Sequence, residues 1–99
     1  MQILLTARKL KPGSYEAWRK AWEPEEWPKG ASKAYILRNT HDPDEIVAFG
    51  MFEGSLDDVL ADPRMEEVQR KRLDAMAPHI ASTGADGVYE VVEVVTPPS

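Results

Sequence analysis

The run IVAFGMF at 46–52 is apolar on both of the faces that a pleated strand presents. Ile46, Ala48 and Phe52 would point one way, and Val47, Phe49 and Met51 the other. A strand with one wet face alternates apolar and polar residues, so this one is expected to be covered on both sides. QILLTARKL at 2–10 behaves alike: Ile3, Leu5 and Ala7 share one parity, Leu4, Thr6 and Leu10 the other, with Arg8 as the exception. Near the end of the chain, Val88, Val92 and Val94 oppose Tyr89, Val91 and Val95, with one glutamate on each side. Whatever sheet these strands build must have both faces buried.

Two helical stretches separate the strands. After Lys11-Pro12-Gly13, Ser14 is a plausible N-cap, and Tyr15, Trp18 and Trp22 fall on one helical stripe with Ala17 and Ala21 beside it. Glu16 and Lys20 are spaced to pair, and Pro24 ends the pattern. SKAYILRNT reads as the second strand and HDPDE as a turn. Ser55 is set to cap LDDVL, with Asp58 at the capping-box position. Asp62-Pro63 restarts a helix through RMEEVQRKRLDAM that falters near Pro78. GADG reads as a turn and VYEVVEVV as the fourth strand. The order β-α-β-β-α-β is the ferredoxin-like one, an α+β fold with a four-stranded antiparallel sheet and helices on one face. Residues 1–99 fit a single domain. Two helices cover one face only, so the sheet of a second copy is expected to cover the other, giving a homodimer.

Composition excludes several partners. The net charge of −5 disfavours nucleic acid, and the basic run Arg70-Lys71-Arg72 sits among Glu66, Glu67 and Asp74 as a solvated helix face would. The chain has no cysteine, hence no disulfide and no thiolate metal site. No apolar run approaches the ~20 residues that cross a bilayer, and MQILLTARKLK lacks the features of a signal peptide. A cytoplasmic protein is expected. His41, in the hairpin turn, has no assigned role, and two histidines so far apart offer no metal-ligand spacing, so no metal is expected.

The opening strand followed by KPGSYEAW, and the passage DPDEIVAFGMFEGSLDDVLADPRMEEV, resemble the dimeric α/β-barrel superfamily, in particular its antibiotic-biosynthesis-monooxygenase-like branch. The resemblance covers nearly the whole chain. It implies two sheets closing into a barrel across a dimer, with one pocket per subunit between the sheet and its own helices. It implies cofactor-free oxygen chemistry on a phenol or quinol, or haem degradation. The aromatic-ketide monooxygenases of this branch use an Asn, a Trp and an Arg where this chain has Ala48, Phe52 and Gln69. The haem-degrading members use an Asn where Thr6 or Ala7 stands, a Trp near Val59 and a His near Gln69. The chain matches neither set.

The residues themselves suggest a site. At roughly 100° per residue, Met65, Val68, Leu73, Ala75 and Met76 form one apolar arc, and Gln69 and Arg72 fall inside it. A guanidinium on a core-facing arc requires a partner: a ligand anion, Glu90 or Glu93, or water at the sheet edge. Trp18 and Trp22 are core residues or walls for a flat aromatic ligand, and Trp27 could close the mouth. Phe52 and Gln69 join them as substrate-binding candidates. His79, after Pro78, is a candidate acid or base beside Arg72. The expected function is a cofactor-free, monooxygenase-like enzyme for a small aromatic or quinol-type molecule. The alternative is a non-catalytic binding or structural dimer.

Overall fold

The computed structural model describes residues 1–98. The elements run β1 (Gln2–Leu10), α1 (Tyr15–Trp22), β2 (Ala31–Asn39), β3 (Asp42–Phe52), α2 (Leu56–Leu60), α3 (Pro63–Met76), a 3₁₀ turn (Ala77–His79) and β4 (Ile80–Glu90). The four strands form one antiparallel sheet in the order β2-β3-β1-β4. This is the ferredoxin-like α+β fold. No helix among the described residues is long and apolar enough to cross a membrane.

Local chemistry accounts for the starts of α2 and α3. Ser55 Oγ accepts from the Asp58 N–H and Asp62 Oδ1 from the Arg64 N–H, with Pro63 in the first turn of α3. Ser14 makes no side-chain cap for α1; the bond there is from Trp18 N to the Ser14 carbonyl, 2.8 Å. Glu16 and Lys20 form no ion pair, whereas Arg19 meets Glu23 at 2.9 Å, one turn on.

The helices lie on the sheet face that carries Leu10, Ile46, Ala48 and Phe52. Leu10, Trp18, Ile46, Ala48 and Met76 form the core, and Leu56, Met65 and Val68 extend it under α2 and α3. The expected arc on α3 proves narrower: Met65, Val68 and Met76 are buried, while Ala75 and Leu73 at its two margins are exposed.

The opposite face has no cover in the isolated chain. The register places Tyr35, Phe49 and Leu5 in one row and Leu37, Val47 and Ala7 in the next. Tyr35 and Leu37 are 42% and 47% exposed, and Tyr35 stacks on Phe49 at 5.2 Å. The molecule is a slab 42 × 39 × 18 Å, with a radius of gyration of 14.5 Å. A compact chain of this length has about 13 Å.

The fourth strand departs from expectation. GADG is no turn: it lies within β4, where the register shifts between the Thr6–Asp86 and Arg8–Thr83 pairs. Gly84 and Ala85 thus face the single residue Ala7, a β-bulge. The valines expected in the strand lie beyond it. Gln2 pairs with Glu90, and the Val91 N–H donates to the Met1 carbonyl at 3.4 Å. Beyond the Gln2–Glu90 pair, residues 91–95 lie outside the sheet, whatever the strand propensity of valine. Val92, Val94 and Val95 are 93%, 78% and 80% exposed.

The loop from Glu23 to Gly30 reaches over the helix-covered side and returns to the sheet through Gly30. Gly30 has φ +89°, and a Cβ on it would lie 2.7 Å from the Glu53 carbonyl oxygen. The Gly30 carbonyl in turn accepts from the Glu53 N–H at 3.0 Å. Gly30→Ala is therefore expected to destabilise the fold by about 2 kcal/mol or more, since left-handed backbone at a non-glycine residue costs ~1–3 kcal/mol before any clash. Chemical denaturation checks this. A midpoint equal to that of the unmodified protein would mean that the loop re-forms without the Gly30–Glu53 contact.

Candidate functional site

A cavity of about 210 Å³ lies between the sheet and its helices. It exceeds the ~150 Å³ apolar hole that takes up benzene in an engineered core. Leu4, Thr6 and Ala48 form its floor, and Gln69, Arg72, Leu73 and Met76 its α3 wall. The last four recur at spacings of three and four, one stripe of a helix whose register Asp62 and Pro63 set. Trp22 at the end of α1, with Pro24, Trp27 and Pro28 from the loop after it, closes the other side. Pro24 and Pro28 are buried and Trp27 is 44% exposed at the mouth.

The aromatic residues of 15–27 form a ladder. Ring centroids step from Tyr15 to Trp18 at 5.9 Å, from Trp18 to Trp22 at 6.5 Å, and from Trp22 to Trp27 edge-on at 5.9 Å. One end of the ladder is core and the other is cavity wall. Trp18 is fully buried and does not line the cavity, contrary to one of the two expectations for it. Its side chain leaves from the middle of α1, directly over Ile46 and Ala48. Trp22, one turn later, stands where the helix ends and the sheet is no longer filled.

Arg72 enters the cavity without an ionic partner. Its Nε donates to the Trp22 carbonyl at 2.6 Å and Nη1 to Gln69 Oε1 at 2.5 Å. The guanidinium carbon lies 5.3 Å from the centroid of the Trp22 ring, a cation–π contact. No carboxylate lies within 4.0 Å of it among the described residues, so neither Glu90 nor Glu93 is its partner. Burial, helped by the charge of Arg8 and opposed by that of Glu23, pulls Arg72 down to about 10. It remains a cation at neutral pH.

Gln69 orients this arginine, and Phe52 lines the same cavity from the end of β3. His79 does not line it. Pro78 carries the chain into the 3₁₀ turn, and the His79 carbonyl accepts from the Lys11 N–H at 3.0 Å, beside Leu10 at the far end of β1. Met76 and the core stand between.

Two lining residues carry charge that the sequence reading did not assign to the site: Arg8 from β1 and Asp86 from β4. Arg8 had left a signal, as the charge that breaks the apolar parity of QILLTARKL. Asp86 left none, because the bulge at Gly84 and Ala85 decides which way it points. Among the described residues no three His, Asp or Glu side chains are grouped as a metal site would require.

No family model matches the chain, and no curated protein matches it. Solved structures do. One is a "putative antibiotic biosynthesis monooxygenase" from Chloroflexus aurantiacus, with TM-score 0.68 and 16% identity, covering 96% of each chain. A second so described, from Nitrosomonas europaea, has TM-score 0.67 and 17% identity over 94% of this chain and all of that one. A third, from Bordetella bronchiseptica, has TM-score 0.70 and 11% identity over 93% and 97%. The chain has the fold of antibiotic biosynthesis monooxygenase-like proteins. At these identities the likeness is one of fold, and fold leaves the chemistry open. Of the positions where the resemblance expects catalytic side chains, Thr6, Ala48, Phe52 and Gln69 line the cavity, whereas Ala7 and Val59 do not.

Proposed function

We propose that this protein is a cofactor-free, monooxygenase-like enzyme that binds a small aromatic or quinol-type molecule between sheet and helices, acting in the cytoplasm as a homodimer. The carrying observation is Arg72, a cation with no carboxylate partner among the described residues, held against the Trp22 indole inside an apolar cavity. The uncovered face with Tyr35 and Leu37 supports the dimer.

Such a site favours the phenolate or enolate of its substrate over the neutral form, because a fixed guanidinium in a dry cavity is already oriented toward the charge. The proton leaves by way of Asp86. The electron-rich anion then reacts with oxygen: one oxygen atom replaces a ring hydrogen as a hydroxyl, the other leaves as water, and the quinol ends as a hydroxyquinone. The substrate supplies the four electrons. Trp22, Trp27 and Phe52 hold the ring flat and exclude water, and Gln69 fixes the Arg72 fork.

Oxygen uptake with a panel of quinols and polyphenols tests this reading. Arg72→Gln should slow uptake by about 100-fold, the usual loss for one oxyanion donor, while Arg70→Gln should leave it unchanged. Arg70 is the control because it lies on the outer surface of α3, paired with Glu67 and Asp74. The alternative, a binding module without chemistry, draws on Ala48, Phe52 and Gln69 standing where the resemblance expects an Asn, a Trp and an Arg. Absence of oxygen uptake with every compound of the panel would favour it.

A further inference from the structure

Arg8 and Arg72 reach one cavity from opposite walls, Arg8 from the sheet and Arg72 from α3. Both are satisfied only by neutral groups: Arg8 Nη1 donates to Thr83 Oγ1 at 3.1 Å, and Arg72 to a carbonyl and an amide oxygen. Asp86 stands at the rim, exposed, and is not within 4.0 Å of either guanidinium among the described residues. The two positive charges oppose each other, since Arg8 contributes to lowering Arg72. Of the other four arginines, three meet carboxylates, Arg19 with Glu23, Arg64 with Glu26, and Arg70 with Glu67 and Asp74, and Arg38 lies outside the cavity, 4.8 Å from the centroid of the Tyr15 ring. With a net charge of −5, carboxylates are in surplus. Two unpaired guanidinia sharing a partly buried space in an acidic protein form a receptor for an anion that the protein itself does not supply.

We infer that Arg8 and Arg72 together form a two-armed site for a carboxylate carried on an aromatic body, so that the ligand of this cavity is an aromatic acid, already anionic before it binds. This rests on the aromatic cavity of the proposed function and narrows its substrate class. A carboxylate matches the paired N–H groups of a guanidinium fork and offers a second edge to the other arginine. Trp22 and Trp27 receive the ring. Arg8 is the specificity-determining residue: without it, one cation remains, enough for a phenolate and insufficient to select an acid over a neutral analogue.

The test is isothermal titration of the full chain with 2-naphthoate and with 2-naphthamide, which share a ring system and differ in charge. The unmodified protein should bind naphthoate at least tenfold more tightly, and added sodium chloride should narrow the difference. Arg8→Gln should lower naphthoate affinity at least tenfold and leave naphthamide unchanged. In the Arg8→Gln, Arg72→Gln double variant the two probes should bind alike, and Arg70→Gln should change neither. Arg72→Lys, which keeps the charge, serves if the glutamine variant does not fold, and should retain part of the preference. Equal affinities in the unmodified protein, no saturable naphthoate binding, or an Arg8→Gln variant no weaker than Arg70→Gln would each overturn the two-armed site. Equal binding of both probes would still leave an aromatic cavity for the proposed enzyme. Tight naphthoate binding without oxygen uptake from any phenol would keep the acid site and remove the oxygenase.

Discussion

Trp18→Ala is expected to lower stability by about 3–5 kcal/mol, the usual range for an aromatic side chain removed from a core. Small domains have only ~5–15 kcal/mol in total, so the melting temperature should fall by roughly 15 °C or more. Trp18 is 0% exposed and packs on Leu10, Ile46, Ala48 and Met76, the residues that join α1, β1, β3 and α3. No smaller side chain at this position reaches all four. Trp18→Phe should be far milder. The Trp18 Nε1–H is buried without a hydrogen-bond acceptor, and an unsatisfied buried donor costs ~1–3 kcal/mol. Phenylalanine loses part of the ring and also removes that donor, so a cost below ~2 kcal/mol is expected. Thermal denaturation of both variants, with Trp27→Ala for comparison, checks the assignment. Trp27 is 44% exposed. If Trp18→Ala proves as mild as Trp27→Ala, the core is not centred where the packing puts it.

The second large effect concerns assembly. Light scattering at micromolar concentration should give twice the 11.1 kDa chain mass, because the face bearing Tyr35, Leu37, Val47 and Phe49 is too apolar to remain in water. Tyr35→Asp and Leu37→Asp should each convert that dimer to monomer. Both residues are 40–50% exposed in the single chain, at 42% and 47%, so an aspartate there is solvated in the monomer and the fold survives. In a sheet-to-sheet dimer the same carboxylate would be buried without a partner, at a cost of several kcal/mol. Circular dichroism should stay native while the mass halves. A monomer already in the unmodified protein would remove the second sheet from the account, and dimers that tolerate both aspartates would place the interface on another surface.

The first three strands, the loops at Pro12, Pro24 and Pro28 and the capped starts of α2 and α3 were legible in the sequence because each is decided within a few residues: a period of two, a period near 3.6, a serine or aspartate at the right offset; HDPDE was not, since the turn is only Thr40-His41 and pairing with β2 draws Asp42–Glu45 into β3. The two apolar faces of IVAFGMF were legible for the same reason, as was the anomaly of Arg72 on a core-facing arc. What the sequence left undecided is what depends on a partner element. Valine-rich residues 91–95 favour strand, yet β4 ends at Glu90, opposite Gln2, and those valines pair with no strand; GADG looks like a turn, yet opposite Ala7 it becomes a bulge. Trp18 and Trp22 share a helical stripe, and only the position of the sheet beneath α1 makes one of them core and the other cavity wall. His79 lies seven residues beyond Arg72, but the 3₁₀ turn at Pro78 takes it away from the cavity, while Arg8, distant in sequence, is brought in by the pairing of β1 with β3 and β4. Periodicity and capping act over one or two turns of chain and can be read from one segment; register and the sharing of a cavity are relations between segments, set by which backbone groups find partners and where the packed side chains leave space.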